Sequence, residues 1–469
     1  MGLTFDSVNT LPRDTELIIK NARIIDPVQG KDVKEDILIR DGVIQKIGKL
    51  KTEGMAESLQ QGIGDNKKSS HFAGKELLKP LISENKNFIK LEAEGLIVCP
   101  SFLDLHVHLR EPGNEDEEDI MSGIQAAIHG GVSGLCCMPN TVPPADNECY
   151  LKYICSVAKE QDFNIFPVAS MTKKLEGTEI TDFGILKENG AIALSDDGCC
   201  VQDSRLMYEI MKYAAQFDLL LILHEEDYSF SRFGLMHEGF YSSKLGLDGI
   251  SSLSEILMVQ RDIELAKRTK AKIHFTHISA KESVELIKNA KDDGIAVTCD
   301  VTPHHLSFDD SELESYDALF KVNPPLRSSA DREALEKGVL EDVIDIIASD
   351  HAPHLEEEKN TTIKNAASGV TGLETIFAAS FTRLCCKSNF SLNKLIDILS
   401  VRPRKILGLN LPSIKPGEKA EITIIEQDRR KLINSDFFSS KSINSAFMNK
   451  ELQGFISGTI NGRKIRINS

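Results

Sequence analysis

The stretch FLDLHVHLREPG at 102–113 sets polar groups in an apolar frame. Phe102, Leu103, Leu105, Val107 and Leu109 suit a buried strand, yet His106, His108 and Arg110 interrupt it. Two histidines two apart on a strand send both rings to one side. Similar interruptions follow other apolar runs: Asp197 in SDDG, His224 in HEED, His277 in HFTHIS and Asp350 in ASDHAP. Four imidazoles and two carboxylates make a nitrogen and oxygen donor set that suits zinc, with room for two ions. Taken singly, a buried histidine is satisfied by a carbonyl and a strand-end aspartate caps a helix. Gathered in one place without a cation, the six would be costly unpaired groups.

The surrounding pattern gives them a common place. From Gly95 onward, short apolar runs alternate with amphipathic segments. GLIVCPSFLDLHVHL, GLCCMPNT, NIFPVAS, AIALSDDG, LLLILHEED, KIHFTHIS, IAVTCDVTPHH and DIIASDHAP read as eight strands. Residues 203–217 predict a helix with Leu206, Ile210, Met211 and Ala214 on one face. Residues 280–290 predict another, with Val284 and Ile287 together. Strand-then-helix units of this kind predict an α/β chain with a TIM-like (β/α)₈ barrel, whose strands carry the active site at their C-terminal ends. Residues 15–49 and the stretches EKAEITIIEQD and GTINGRKIRIN instead alternate with period two. They predict a small β-sandwich domain built from both chain ends. The expected division is 1–50 and 405–469 for that domain, 93–404 for the barrel, and 51–92 for a partly disordered surface insertion.

Composition narrows the function classes. The chain has 469 residues and a formal net charge of −16, without a basic stripe, so nucleic acid is not an expected partner. No apolar run approaches the ~20 residues of a membrane span, and the start lacks a signal peptide. Ten cysteines without a CxxC pattern read as reduced thiols, and a cytoplasmic enzyme is the expectation.

The motifs DLHVHLREPG, MPNT, SDDG, HEED, HFTHIS and ASDHAPH resemble the amidohydrolase superfamily, and more narrowly dihydroorotases of the long, class I type. The resemblance spans residues 15–50 and 93–465. It implies reversible, zinc-dependent opening of the cyclic amide of dihydroorotate to N-carbamoyl-aspartate, in pyrimidine synthesis. His106 and His108 match ligands of a first zinc, and His224 and His277 those of a second. Asp350 matches the aspartate that touches the first metal and shuttles the proton. Many amidohydrolases bridge the metals with a carbamoylated lysine on strand 4. Here SDDG offers Asp197 for that place, with Asp196 as the alternative. Arg110, Asn140 and His354 match groups that hold the substrate carboxylate, and Asn323 one that contacts the ring. The loop 367–375 matches one whose backbone reads the ring's amide edges. The resemblance also implies a homodimer and allows association with aspartate transcarbamoylase. The rival readings are a hydantoinase, dihydropyrimidinase or allantoinase, or an inactive scaffold. His304 and His305 stay outside the ligand set. Strand alternation points His351 away from the metal and places His274 outside the barrel.

Overall fold

The computed structural model describes residues 6–50, 79–82 and 88–468. Eight parallel strands form one sheet: β1 (Phe102–Val107), β2 (Val132–Cys137), β3 (Asn164–Ala169), β4 (Ala193–Leu194), β5 (Leu220–Leu223), β6 (Lys272–Phe275), β7 (Val297–Val301) and β8 (Ile346–Ile347). Each pairs with the next in sequence, and a Val107–His351 bridge joins the ends into a barrel. The expected (β/α)₈ architecture is therefore present. The register carries one face around the sheet, through Leu103, Gly134, Cys136, Phe166, Val168, Ala193 and Leu220. Together with Leu105, Ile222 and Ile346, several of these make one apolar cluster in the barrel interior. The opposite face, including Leu135, Leu221, Ile273 and Cys299, packs under the helices.

The helices form for local reasons. Asp203 caps the helix Ser204–Gln216 by accepting from the Leu206 amide, and Met207, Ile210, Met211 and Ala214 are its buried face. Met207, not Leu206, completes that stripe. The helix Lys281–Asp292 buries Ser283, Val284, Ile287 and Ala290. None of the helices among the described residues is long and apolar enough to cross a membrane.

The strands of the two chain ends share a ten-stranded sheet. Alternating Leu17, Ile19, Ile37, Ile39, Ile422, Ile424 and Ile460 fill one core. The sheet curls over that core: Val43 bridges Lys419, and the Ile44 amide donates to the Glu418 carbonyl. Its other face sends Ile25, Ile97, Cys99, Ile425 and Ile456 into the barrel's outer layer.

Three boundaries differ from the sequence reading. The run 95–109 is two strands. Ile97–Pro100 pairs with Glu16–Asp26 and Glu421–Leu432 in the curled sheet, and β1 begins after Ser101. Both pieces are buried on both faces, so no change of period marks the switch. Within the span read as an insertion, Phe88–Glu92 runs parallel to Glu16–Asp26 and antiparallel to Lys79–Ile82. The rest of that span, 51–78 and 83–87, lies outside the described residues. Finally, part of the C-terminal segment leaves the sheet. Ala446 and Phe447 pack against Phe308, Phe320 and Val370 beside the barrel's C-terminal loops.

Arg404 ties these parts together. It is buried, and its guanidinium donates to the Ser101 carbonyl at 2.9 Å and the Ser400 carbonyl at 2.8 Å, with Glu421 3.3 Å away. One side chain thus meets the strand switch, the last barrel helix and the curled sheet. Arg404→Met should leave those acceptors unmet and lower unfolding stability by about 3 kcal/mol, as measured by denaturant titration.

Candidate active site

The six side chains singled out in the sequence meet at the C-terminal mouth of the barrel. Asp197 Oδ1 lies 3.4 Å from His106 Nε2, 3.7 Å from His277 Nε2 and 3.9 Å from His224 Nδ1, while its Oδ2 is 3.6 Å from His108 Nε2. Asp350 Oδ1 lies 3.5 Å from His106 Nε2 and 3.4 Å from His108 Nε2. All six are buried. His106 Nε2 and Asp197 Oδ1 have no hydrogen-bond partner. Donor atoms sharing one tetrahedral zinc, at bonds of ~2.0–2.1 Å, stand ~3.3–3.4 Å apart. The spacing is thus too long for hydrogen bonds but suits atoms converging on a cation. Within these six, two groups lie at ligand distance, His106–His108–Asp350 and His106–Asp197–His277, sharing His106.

The electrostatics agree. Burial pushes both carboxyls up, but the flanking imidazoles outweigh it and hold Asp197 and Asp350 well below the usual carboxylate range. Burial likewise opposes a charge on His106, yet Asp197 and then Asp350 raise it to about 10. The pocket demands positive charge.

The far nitrogen of three of these rings is occupied, which fixes which nitrogen faces inward. His106 Nδ1 donates to Thr276 Oγ1 at 2.7 Å, and that hydroxyl donates to Asp300 at 3.0 Å. His108 Nδ1 donates to Asn140 Oδ1 at 2.8 Å. His224 Nε2 donates to Glu226 at 3.2 Å, leaving Nδ1 3.0 Å from His277 Nε2. Asp300 also accepts from the His277 amide at 2.7 Å. Arg110, His277 and Asp350 have φ of +62°, +39° and +47°. Such left-handed conformations persist for side chains only where surrounding bonds enforce them.

His274 corrects the alternation argument. The register sets it beside Ile222 and Thr298 on the inner face. It lies inside the barrel, where it bonds Thr298 at 2.8 Å and Asp300 at 2.9 Å. β6 ends at Phe275 and the backbone turns at His277, so counting back from His277 gave the wrong side. His351 does turn away, with Nδ1 accepting from the Gly372 amide and Nε2 facing Glu118. His305 is engaged by Thr302 and the Pro324 carbonyl. The adjacent Asp196 is occupied elsewhere: it accepts from the Met171 and Thr172 amides and from the Thr172 hydroxyl. Sequence reading passed over Thr276, Asp300 and Glu226. Two of them carried a signal: Glu226 lies two residues beyond His224, and Asp300 is an acid inside an apolar strand.

Arg110 stands at the rim with its Nε edge taken by the Pro353 carbonyl at 3.1 Å and Glu117 at 2.9 Å. Glu117 is its acidic neighbour. The other end of the guanidinium, with Nη2 3.4 Å from His354 Nε2, is left to meet a ligand. His354 bonds the Ser368 carbonyl at 2.9 Å, and burial beside Arg110 lowers it to about 3, so it is neutral. Asn323 lies across the mouth and donates to Glu226 at 3.2 Å.

The whole arrangement has relatives. A dihydroorotase of Caldicellulosiruptor saccharolyticus is 42% identical over 451 residues, covering 96% of this chain and 98% of that protein. The chain belongs to the dihydroorotase family. A dihydroorotase of Geobacter metallireducens is 39% identical over the same length. The family model described as dihydro-orotase-like matches residues 95–283, which include His106, His108, Asp197, His224 and His277. Among solved structures, the L-hydantoinase from Arthrobacter aurescens superposes with a TM-score of 0.76 at 20% identity, over 97% of this chain and 96% of that one. That likeness shows the shared barrel and curled sheet. Dihydroorotases are cyclic amide hydrolases, and the family implies a metal cofactor.

The geometry separates the two adjacent aspartates. Asp197→Ala should lower the metal retained after dialysis by more than half. Asp196→Ala should retain it while loosening the loop at Met171 and Thr172. Elemental analysis of both variants checks this.

Proposed function

We propose that this chain opens and closes the ring of dihydroorotate, with zinc held by His106, His108, Asp197, His224, His277 and Asp350, two ions per chain. The observation that carries the reading is an arginine aimed at the rim of a buried, cation-demanding cluster. Substrates of this kind pair a cyclic amide with a carboxylate, and the site offers a separate group for each.

Zinc at these side chains supplies Lewis-acid chemistry, a more acidic water and a polarised amide carbonyl. The remaining work falls to the protein. Asp350, kept ionised, takes the proton of the attacking water and returns it to the ring nitrogen as the C–N bond breaks. In ring closure the same carboxylate runs the transfer backwards. Arg110 receives the substrate carboxylate through two parallel hydrogen bonds, a geometry that lysine cannot reproduce. Asn140 and His354 stand beside it, and Asn323 faces the ring. His354 spends its N–H on the Ser368 carbonyl, so its ring stands beside the ligand without adding a second charge.

Hydantoins and uracil-like rings lack the carboxylate. With such rings the free end of the buried Arg110 guanidinium would go unmet, which supports dihydroorotase over a hydantoinase. An inactive scaffold would not need a full donor set. The cytoplasmic setting, the homodimer and association with aspartate transcarbamoylase rest on the family resemblance and extend the same proposal.

Turnover of dihydroorotate that stops on chelation and returns with zinc tests the reading. Activity that survives a chelator rejects it. Arg110→Lys should raise KM for dihydroorotate about 10- to 100-fold, equivalent to ~1.4–2.8 kcal/mol, in steady-state kinetics. Asp350→Ala should keep most of the metal and lose about 10³-fold in kcat.

A further inference from the structure

The loop that follows β8 is built around two buried ammonium groups. Lys321 Nζ donates to the carbonyls of Ile363 at 2.8 Å, Lys364 at 3.4 Å and Ala366 at 2.7 Å. Lys359 Nζ donates to those of Lys321 at 3.2 Å, Ala367 at 2.9 Å and Gly369 at 2.9 Å. Both lysines are buried, and among the described residues neither makes an ion pair with a carboxylate. Burial lowers both, Lys359 to about 7 with Lys321 as its second cause. Placing two amines side by side without a counter-ion is costly. Six main-chain oxygens, five from residues 363–369 and one from Lys321, are what offsets it.

A third side chain closes the frame from the far end of the sequence. Asn444 donates to the Ala352 and Gly369 carbonyls, each at 3.2 Å, and its Oδ1 accepts from the His354 amide at 3.2 Å. Gly369 is held on both sides, since its amide also donates to the Lys321 carbonyl at 3.0 Å. Its φ of +132° suits glycine alone, and a Cβ there would stand 3.0 Å from His354 Nε2.

Peptide planarity turns this anchoring into a direction. A carbonyl and the next amide point opposite ways. With the Ala367 carbonyl drawn back onto Lys359, the Ser368 amide is turned the other way. The Ser368 carbonyl already meets His354 Nε2 on that side, the side of Arg110.

We propose that Lys359, with Lys321 and Asn444, is a positioning residue for substrate recognition: it draws the carbonyls of Ala367 and Gly369 away from the pocket and so presents the Ser368 edge of the loop and the His354 ring to the ligand. This rests on the dihydroorotase reading for the identity of the ligand. The frame itself does not depend on that reading. Lys359 acts on binding and leaves the chemistry at the cluster alone. Losing it therefore removes interactions common to ground and transition states, which raises KM and spares kcat.

The test uses the zinc-loaded full chain and Lys359→Ala. Hydrogen exchange should show the protection of amides in 363–370 falling at least tenfold, with the amides of β1–β8 unchanged. KM for dihydroorotate should rise about 30-fold and kcat change less than about threefold. Lys359 borders a cavity of about 750 Å³ lined also by Tyr316, Asn360 and Asn444, so n-propylammonium can reach the vacated space. It should restore KM, and n-propanol should not. Unchanged loop exchange overturns the proposal whatever the activity. A lost loop protection with unchanged KM, or a fall confined to kcat, overturns it as well. If wild type fails to turn over dihydroorotate, the function reading falls and loop exchange still decides the frame. Should Lys359→Ala not fold, Asn444→Leu carries the same exchange and KM measurements, with an expected rise of about fivefold in KM.

Discussion

Two carboxylates buried among four imidazoles form the constraint around which the barrel mouth is arranged. Asp197 and Asp350 sit 3.4–3.9 Å from the ring nitrogens, close enough to demand positive charge and too far to be satisfied by hydrogen bonds. A protein interior does not tolerate that arrangement unless a cation completes it. The neighbouring groups serve to hold it open. Thr276, Asn140 and Glu226 each occupy the far nitrogen of one imidazole and so aim its lone pair inward. Asp104 accepts from the His106 and Ser349 amides, tying the ends of β1 and β8 at the same depth.

The barrel interior changes character with height. Near the bottom it is filled by Leu103, Leu220 and Ile346. Higher on the same inner face, β6 and β7 supply His274, Thr298 and Asp300, a buried polar layer whose members bond one another. That layer lies between the apolar plug and the cluster of histidines and aspartates at the mouth. It passes orientation upward, from His274 through Asp300 to Thr276 and on to His106. A fully satisfied polar network of this sort specifies geometry more sharply than packing does.

Much of this was legible in the sequence, for an identifiable reason. Each barrel strand is a short apolar run that ends in a polar residue, so both the strand count and the rim could be read together. The split at Ser101 could not, because apolar residues flank it on both sides and bury either way. Phe88–Glu92 was hidden by the composition around it. His274 was misplaced because alternation was carried past the end of β6, where the backbone turns. No local pattern marks Lys321 and Lys359, which are buried against carbonyls that only the fold assembles. Nothing around Asn444 announces that it crosses from the C-terminal segment to the loop after β8. Relations of that length leave no local pattern.

The curled sheet has a consequence for biosynthesis. Its first strands, Glu16–Asp26 and Lys31–Arg40, connect to Glu421–Leu432 and Glu451–Asn461 through Ile97–Pro100, and their apolar face shares one core with Ile422, Ile424 and Ile460 of those later strands. A ribosome adding ~5–20 residues per second needs on the order of half a minute to deliver them. Throughout that interval the isoleucine-rich leading strands have left the exit tunnel with their greasy face uncovered. The nascent chain therefore offers its leading strands to holdase chaperones until residues 421–461 emerge and cover them.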